Sequence, residues 1–154
     1  MDNKLIEEMK EFCSRFKMPN MDSDMCKLGL GEIVEFQSEG LRGRTTEEIE
    51  DFIFKTHSYA TILKNKHSSL KAFITGLNSV INRFVADNID TVDKFLPYTA
   101  KREAVISSSQ DVSKYEVSLV SARMQLEKIG DLPSGVDATL RSLESYLRRR
   151  HSNG

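Results

Sequence analysis

Apolar side chains return every three or four positions over most of this chain, the spacing that gathers them on one side of an α-helix. Leu5, Ile6, Met9, Phe12, Cys13 and Phe16 are the first to follow it, and they predict a short amphipathic helix over residues 3–17 that stops ahead of Pro19. From Met18 to Arg44 the pattern dissolves. Gly29, Gly31, Gly40 and Gly43 interrupt a short Ile33, Val34, Phe36 run that suits a helix or a strand, so this stretch reads as a loosely ordered connector. Thr45 then precedes Glu48 by three positions. That pair is the signature of a capping box, in which hydroxyl and carboxylate each satisfy an otherwise unpaired amide of a first helical turn.

The helix opened there carries Ile49, Phe52, Thr56, Tyr59, Leu63, Lys66, Leu70, Phe73, Leu77, Val80 and Phe84, alternating by three and four. This is the seam of a left-handed coil, and only Thr56 and Lys66 break its apolar character. A helix over residues 46–86 would be roughly 60 Å long at about 1.5 Å per residue. The small remainder of one chain is expected to leave such a rod partly uncovered, which argues for self-association. Beyond Pro97 a further helical stretch begins near Tyr98, and the polar run Ser107, Ser108, Ser109 suggests a hinge in it. Val112, Tyr115, Leu119, Ala122, Leu126 and Ile129 resume the spacing until Gly130 and Pro133 stop it. Ser134 with Asp137 offers another capping box, opening a last helix with Val136, Leu140, Leu143 and Leu147. The expected fold is all-α: a long helix with helices folded back along it as a helical hairpin, assembling into an oligomeric ring or barrel. Residues 1–44 would form a helix and connector, and residues 45–154 the main oligomerisation domain.

Composition bounds the function classes. The chain has 154 residues with 39% apolar content, enough for a core without metal or disulfide support. Two cysteines, Cys13 and Cys26, have neither zinc-site spacing nor the density of a secreted scaffold, so a reducing cytoplasm fits best. No apolar run is long enough for a signal core or a membrane span. The formal charge is −1, which excludes a globally basic nucleic-acid binder and shifts attention to how charge is distributed.

That distribution is uneven. Between Asp51 and Asp87 there is no acidic residue, while Lys55, Lys64, Lys66, Lys71 and Arg83 fall in the same window. At about 100° per residue, Lys64, Ser68, Lys71, Thr75, Asn78 and Asn82 share a band roughly opposite the apolar seam. Ammonium, hydroxyl and amide donors of this kind suit phosphate and sugar contacts, because lysine and arginine release condensed counterions and neighbouring carboxylates would cancel the effect. An ordinary solvated helix face is the bland alternative. Arg148, Arg149, Arg150 and His151 form a second basic cluster, which the helix dipole favours at a C-terminal end and which also suits phosphate or a charged subunit interface. The aromatic residues Phe52, Phe54, Tyr59, Phe73 and Phe84 could stack on bases, but seam spacing assigns most of them to the core.

Catalysis finds little footing. His57, His67 and His151 lack paired metal-ligand spacing, and Ser68 beside His67 points away from it on a helix, so no catalytic residue, metal site or cofactor is expected. The glycines are not followed by the lysine and hydroxyl pair of a nucleotide-binding loop.

The string Lys64, Asn65, Lys66, His67, Ser68, Ser69, Leu70, Lys71 resembles the recombination mediators of tailed phages, the UvsY family, which carry a similar asparagine, lysine, histidine, serine, serine run on a long helix. Tyr98, Lys101 and Glu103, followed by Asp111, Val112, Lys114, Ser118 and Leu119, look like that family's second helical region. The resemblance spans about residues 46–150. It implies a non-enzymatic, ring-like homo-oligomer that binds single-stranded DNA and helps load a RecA-like recombinase onto strands covered by single-strand-binding protein, in the DNA recombination, repair and replication of a phage-infected host's cytoplasm. The DNA-facing candidates are then Lys64, Lys66, His67, Ser68, Lys71, Arg83, Arg148, Arg149 and Arg150, and the seam for core or oligomer is Leu63, Leu70, Phe73, Leu77, Val80 and Phe84. One departure stands out. The family's basic Lys-Ala-Arg-Leu string aligns here with Ala86, Asp87, Asn88 and Ile89. The rival reading is a coiled-coil structural or adaptor protein, such as a phage assembly or chaperone-like factor, whose seam binds partner helices and whose basic strip is incidental.

Overall fold

In the computed structural model, which describes residues 3–16 and 40–152, all regular structure is helical. Helix α1 spans Asn3–Arg15, α2 Thr46–Asn88, α3 Tyr98–Ser107, α4 Gln110–Ile129 and α5 Leu132–Ser152, with a 3-10 turn at Ile89–Thr91 after α2. Most of the expected connector, including Cys26, Gly29, Gly31 and the Ile33, Val34, Phe36 run, lies outside the described residues.

Local chemistry accounts for most of the helix boundaries. The Thr45 amide donates to Glu48 Oε2 at 2.7 Å and the Glu48 amide donates to Thr45 Oγ1 at 3.2 Å, so the capping box forms and α2 starts beside it. The serine tract ends one helix and opens the next. Ser108 Oγ donates to the Val105 carbonyl at 2.6 Å at the end of α3, while buried Ser109 accepts the Val112 amide at 3.4 Å to cap α4. At Gly130 the backbone turns to φ +47°, a conformation glycine adopts without a Cβ penalty. The last helix starts earlier than expected, at Leu132 and not after a Ser134–Asp137 box: the Gly135 amide donates to the Asp131 carbonyl at 2.9 Å. Pro133 therefore sits in the first turn. Its missing N–H costs nothing there and its fixed φ already suits a helix.

The chain divides into two compact units, Met1–Pro19 with Ser69–Lys128, and Asn20–Ser68 with Ile129–Gly154. This division follows spatial contact and cuts α2 between Ser68 and Ser69, whereas the sequence reading divided the chain at residue 44. In the first unit α1 contributes buried Leu5, Ile6 and Met9, α2 contributes Leu70, Phe73, Leu77, Ile81, Phe84 and Val85, and α3 and α4 add Val105, Ile106, Val112, Leu119 and Ala122. Each fully buried side chain of this size stabilises the fold by about 1.5–3 kcal/mol. In the second unit Ile49, Phe52, Tyr59, Ala60 and Leu63 of α2 share a core with Val136, Leu140 and Leu143 of α5.

Two expectations about the seam are corrected. One chain does cover it: Leu63, Leu70, Phe73, Leu77 and Phe84 are all buried without a second copy, because α5 supplies apolar partners in one unit and α1, α3 and α4 in the other. The argument for self-association from helix length therefore falls away. Past Leu77 the buried line also shifts, with Val80 half-buried and Ile81 buried. A straight helix of 3.6 residues per turn drifts by about 20° per heptad against a strict three-and-four pattern, which carries the core line on by one position. Thr56, the seam's first polar break, is buried and donates its hydroxyl to the Phe52 carbonyl at 2.8 Å, so its oxygen is satisfied inside the helix.

Candidate nucleic-acid interface

The candidate residues divide between the units. Lys64, Lys66, His67 and Ser68 belong to the second, and Lys71, Thr75, Asn78, Asn82 and Arg83 to the first. Helical geometry alone places Lys64 and Ser68 on the side of α2 away from buried Leu63, and both are exposed. Lys66 and His67 are half-buried. In the first unit Lys71, Thr75 and Asn82 are exposed, and Thr75, Asn78, Ser79, Asn82 and Arg83, with Ile74 and Ala86, line an open groove of about 590 Å³.

Folding changes the electrostatics of the basic strip. The window lacks acids in sequence, yet acids arrive from other helices: Asp137 of α5 holds Lys64 at 2.8 Å and Glu8 of α1 holds Arg83 at 2.7 Å. Lys55 pairs with Asp51 at 2.9 Å on its own helix. Lys71 has no acidic partner among the described residues. The strip is thus less cationic than its sequence suggests, and the expectation of a carboxylate-free face is corrected. The three cations are exposed while Asp137 and Glu8 are half-buried, and ion pairs this open to solvent contribute about 0–1 kcal/mol.

Lys64 is one rung of a regular ladder in the second unit. Glu50, His57 and Lys64 stand seven residues apart on α2, as do Asp137, Glu144 and His151 on α5. They meet in antiparallel register: Lys64 with Asp137 at 2.8 Å, His57 with Glu144 at 3.0 Å, and His151 with Glu50 at 3.8 Å. The carboxyl-terminal basic cluster is absorbed into the same face and its neighbours. Arg148 lies 3.9 Å from Glu144, Arg149 donates to the Ser145 carbonyl and hydroxyl at 3.4 and 3.3 Å, and Arg150 donates to the Arg44 carbonyl at 2.7 Å. What the sequence reading missed was the acids, whose matching seven-residue intervals were visible but lie more than seventy positions away from their partners.

The remaining site features are structural. Of the aromatic stacking candidates, Phe52, Tyr59, Phe73 and Phe84 are buried and Phe54 is exposed. Asn78 Oδ1 accepts a hydrogen bond from Arg123 of α4 at 2.9 Å, tying one member of the donor band to a neighbouring helix. Beside the first unit's α1, burial raises the Cys13 thiol above its ordinary range and, with Cys13 and Asp111 nearby, also raises the Tyr115 phenol. Cys13 is a free thiol that stays protonated at neutral pH and is a poor nucleophile. Among the described residues no three histidine, cysteine or carboxylate side chains gather as a metal site, and no helix is long and apolar enough to cross a membrane. Comparison of the chain with protein-family models, curated proteins and solved structures found no match.

Proposed function

We propose that this chain is a non-enzymatic recombination mediator of the UvsY type: a homo-oligomer, arranged as a ring or barrel, that binds single-stranded DNA and assists a RecA-like recombinase on strands covered by single-strand-binding protein. The observation that carries this reading is the set of exposed donors Lys64, Ser68, Lys71, Thr75 and Asn82 on α2, a helix with no carboxylate of its own between Asp51 and Asp87. Lys71 offers an ammonium group not held by any described acid. Lys64 and Arg83 are paired with half-buried Asp137 and Glu8 and would contribute only where phosphate displaces those carboxylates. Individual contacts of this kind are weak, so affinity would come from several copies engaging one flexible strand at once.

Binding should then depend on salt and hardly on sequence. Each phosphate neutralised on a single strand contributes about −0.7 to the slope of log K against log salt concentration, so anisotropy titrations of labelled oligonucleotides should give a slope that falls by about 2 when Lys64, Lys66 and Lys71 are all replaced by alanine. Binding that ignores salt, or no binding at any salt, overturns the reading. A specific observation favours the rival adaptor reading: Asp137 and Glu8 fold onto the strip and treat its cations as internal ion-pair partners. Loss of assembly with DNA binding unaffected in the triple-alanine variant would select that alternative.

A further inference from the structure

The open groove of the first unit follows the outer face of α2, and an arginine stands at each of its rims. Asn78 and Arg83 are five positions apart, about 140° around the helix, and Thr75, Ser79, Asn82 and Ala86 fall in the arc between them. At the first rim Arg123 of α4 donates to Asn78 Oδ1 at 2.9 Å, and at the second Arg83 donates to Glu8 of α1 at 2.7 Å. The rims differ in charge. Arg123 is exposed and makes no ion pair among the described residues, Glu127 one turn further along α4 included, whereas Arg83 is neutralised by Glu8. Lys71, one heptad before Asn78 and on the same side of α2, extends the cationic rim. Between the rims lie donors that the fold does not use. Earlier on the same helix Thr56, Ser58 and Thr61 donate their hydroxyls to the carbonyl four residues back. Thr75 and Ser79 do not, and neither their hydroxyls nor the Asn82 amide has a hydrogen-bond partner among the described residues. Asn78 Oδ1 is taken by Arg123, which leaves its Nδ2 as a further donor. No carboxylate lines the groove.

We infer that Arg123 is a phosphate-contacting residue, that the sugar–phosphate backbone of a single strand lies in this groove between Arg123 and Arg83, and that Glu8 competes with phosphate for the Arg83 guanidinium. This rests on the nucleic-acid reading and adds to it a cation that no stretch of α2 contains and a carboxylate that opposes binding. The donor set selects the ligand. Guanidinium groups take phosphate oxygens in short, charge-assisted bonds, and neutral hydroxyl and amide donors take sugar and phosphate oxygens. An acidic peptide would satisfy the two arginines but would leave the neutral donors between them without a regular series of acceptors. No aromatic side chain lines the groove, so bases find no stacking platform in it and little sequence preference follows. Glu8 can yield without α1 leaving. Its neighbours Leu5, Ile6 and Met9 are buried and hold the helix in place, while its own carboxylate is half-buried and has only to swing aside.

Anisotropy titrations of fluorescein-labelled oligothymidylate with the full chain test both residues. Arg123→Ala should weaken binding several-fold and make the slope of log K against log salt concentration shallower by about 0.7, the share of one neutralised phosphate. Asn78→Ala breaks the same bond between α2 and α4 but removes no charge, so it should weaken binding with the slope kept. That contrast separates a contact with phosphate from support of the fold. Glu8→Gln is the sharper test. It should raise affinity several-fold and steepen the slope by up to about 0.7, a gain that lost stability cannot produce, and adding Arg83→Ala should abolish it. An unchanged slope in Arg123→Ala, or no gain in Glu8→Gln, overturns this assignment, while salt-dependent binding by the unaltered chain would leave the nucleic-acid reading standing. No binding by the unaltered chain or by any variant overturns both. Polyglutamate bound in an Arg123-dependent way, with oligothymidylate indifferent to Arg123→Ala, would give the groove to an acidic partner and overturn it as well.

Discussion

The two units use the same long helix in different ways. Among the described residues, α2 up to Ser68 meets a partner of matching period in α5, and the ladder Glu50–His151, His57–Glu144, Lys64–Asp137 repeats with each heptad beside a core of Leu63, Leu140 and Leu143. From Ser69 onward α2 shares its unit with α1, α3 and α4, and the polar ties differ in kind: a two-bond Arg102–Glu116 pair, half-buried, and single bonds from Arg83 to Glu8 and from Arg123 to Asn78. The second unit specifies register through regularly spaced, exposed pairs. The first unit does so through irregularly spaced ties, one of them a half-buried two-bond pair, and leaves the back of α4 apolar and exposed.

The largest effects should come from the cores. Leu140→Ala removes a buried side chain from the second unit and should cost about 2–5 kcal/mol in denaturant unfolding, with Met9→Ala costing a similar amount through the first. Hydrogen exchange separates them: Leu140→Ala should accelerate amides of residues 49–63 more than those of residues 70–85, and Met9→Ala should do the opposite. Uniform acceleration in both variants would mean that the two units do not open separately.

The close approach of α1 to α2 gives a second test. A Cβ on Gly76 would run into the Phe12 ring, whose centroid lies 5.9 Å from that of Phe73. Alanine there gains about 1 kcal/mol of helix propensity but must displace the ring, at an overpacking cost of about 1–3 kcal/mol. Gly76→Ala should therefore leave stability unchanged or lower it by up to about 2 kcal/mol. Faster exchange confined to α1 is the expected sign, and a net gain in stability would show that Phe12 moves aside freely.

The polar ties of the two units should also rank. Arg102 and Glu116 are shielded from solvent on most of their side-chain surface and meet through two parallel bonds, so Arg102→Ala should cost about 1.5–3 kcal/mol. Lys64→Ala breaks a more exposed pair and should cost at most about 1 kcal/mol. Equal costs in urea titrations would remove the distinction drawn between the units.

How far the sequence carried the fold depended on range. Helix boundaries set by neighbouring residues were legible: the Thr45–Glu48 box, the break at Ser107–Ser109, the stop at Gly130. Seam residues as far as Leu77 were legible too, because burial follows a short period. The shift to Ile81 was not, since it accumulates from a small mismatch over many turns. Pro133 was read as a stop when a first helical turn tolerates it. The candidate site was the least legible part. Whether Lys64 and Arg83 are uncancelled depends on Asp137 and Glu8, and no window along the chain contains both members of either pair. An acid-free stretch of sequence describes the charge of a segment, while the field at a surface is set by whatever folds against it.

The most local effect probes the start of the long helix. The Thr45 amide, donating to Glu48, holds that carboxyl below its ordinary value of 4.5; burial opposes it, and the Thr45 hydroxyl and Arg44 add to the lowering. A carboxylate whose folded pKa is depressed adds stability that is complete above its unfolded value and is lost as pH falls through the folded one. The first turn of α2 should therefore loosen as pH drops below about 4.5, seen as movement of the Thr45 amide resonance and faster exchange at Glu47 to Ile49. Glu48→Gln keeps an acceptor and removes the titration, so its Thr45 resonance should stay level over the same range. Thr45→Ala removes the reciprocal acceptor for the Glu48 amide and should cost about 0.5–2 kcal/mol at neutral pH. If the glutamine variant titrates like the natural chain, the acid loosening does not originate at Glu48.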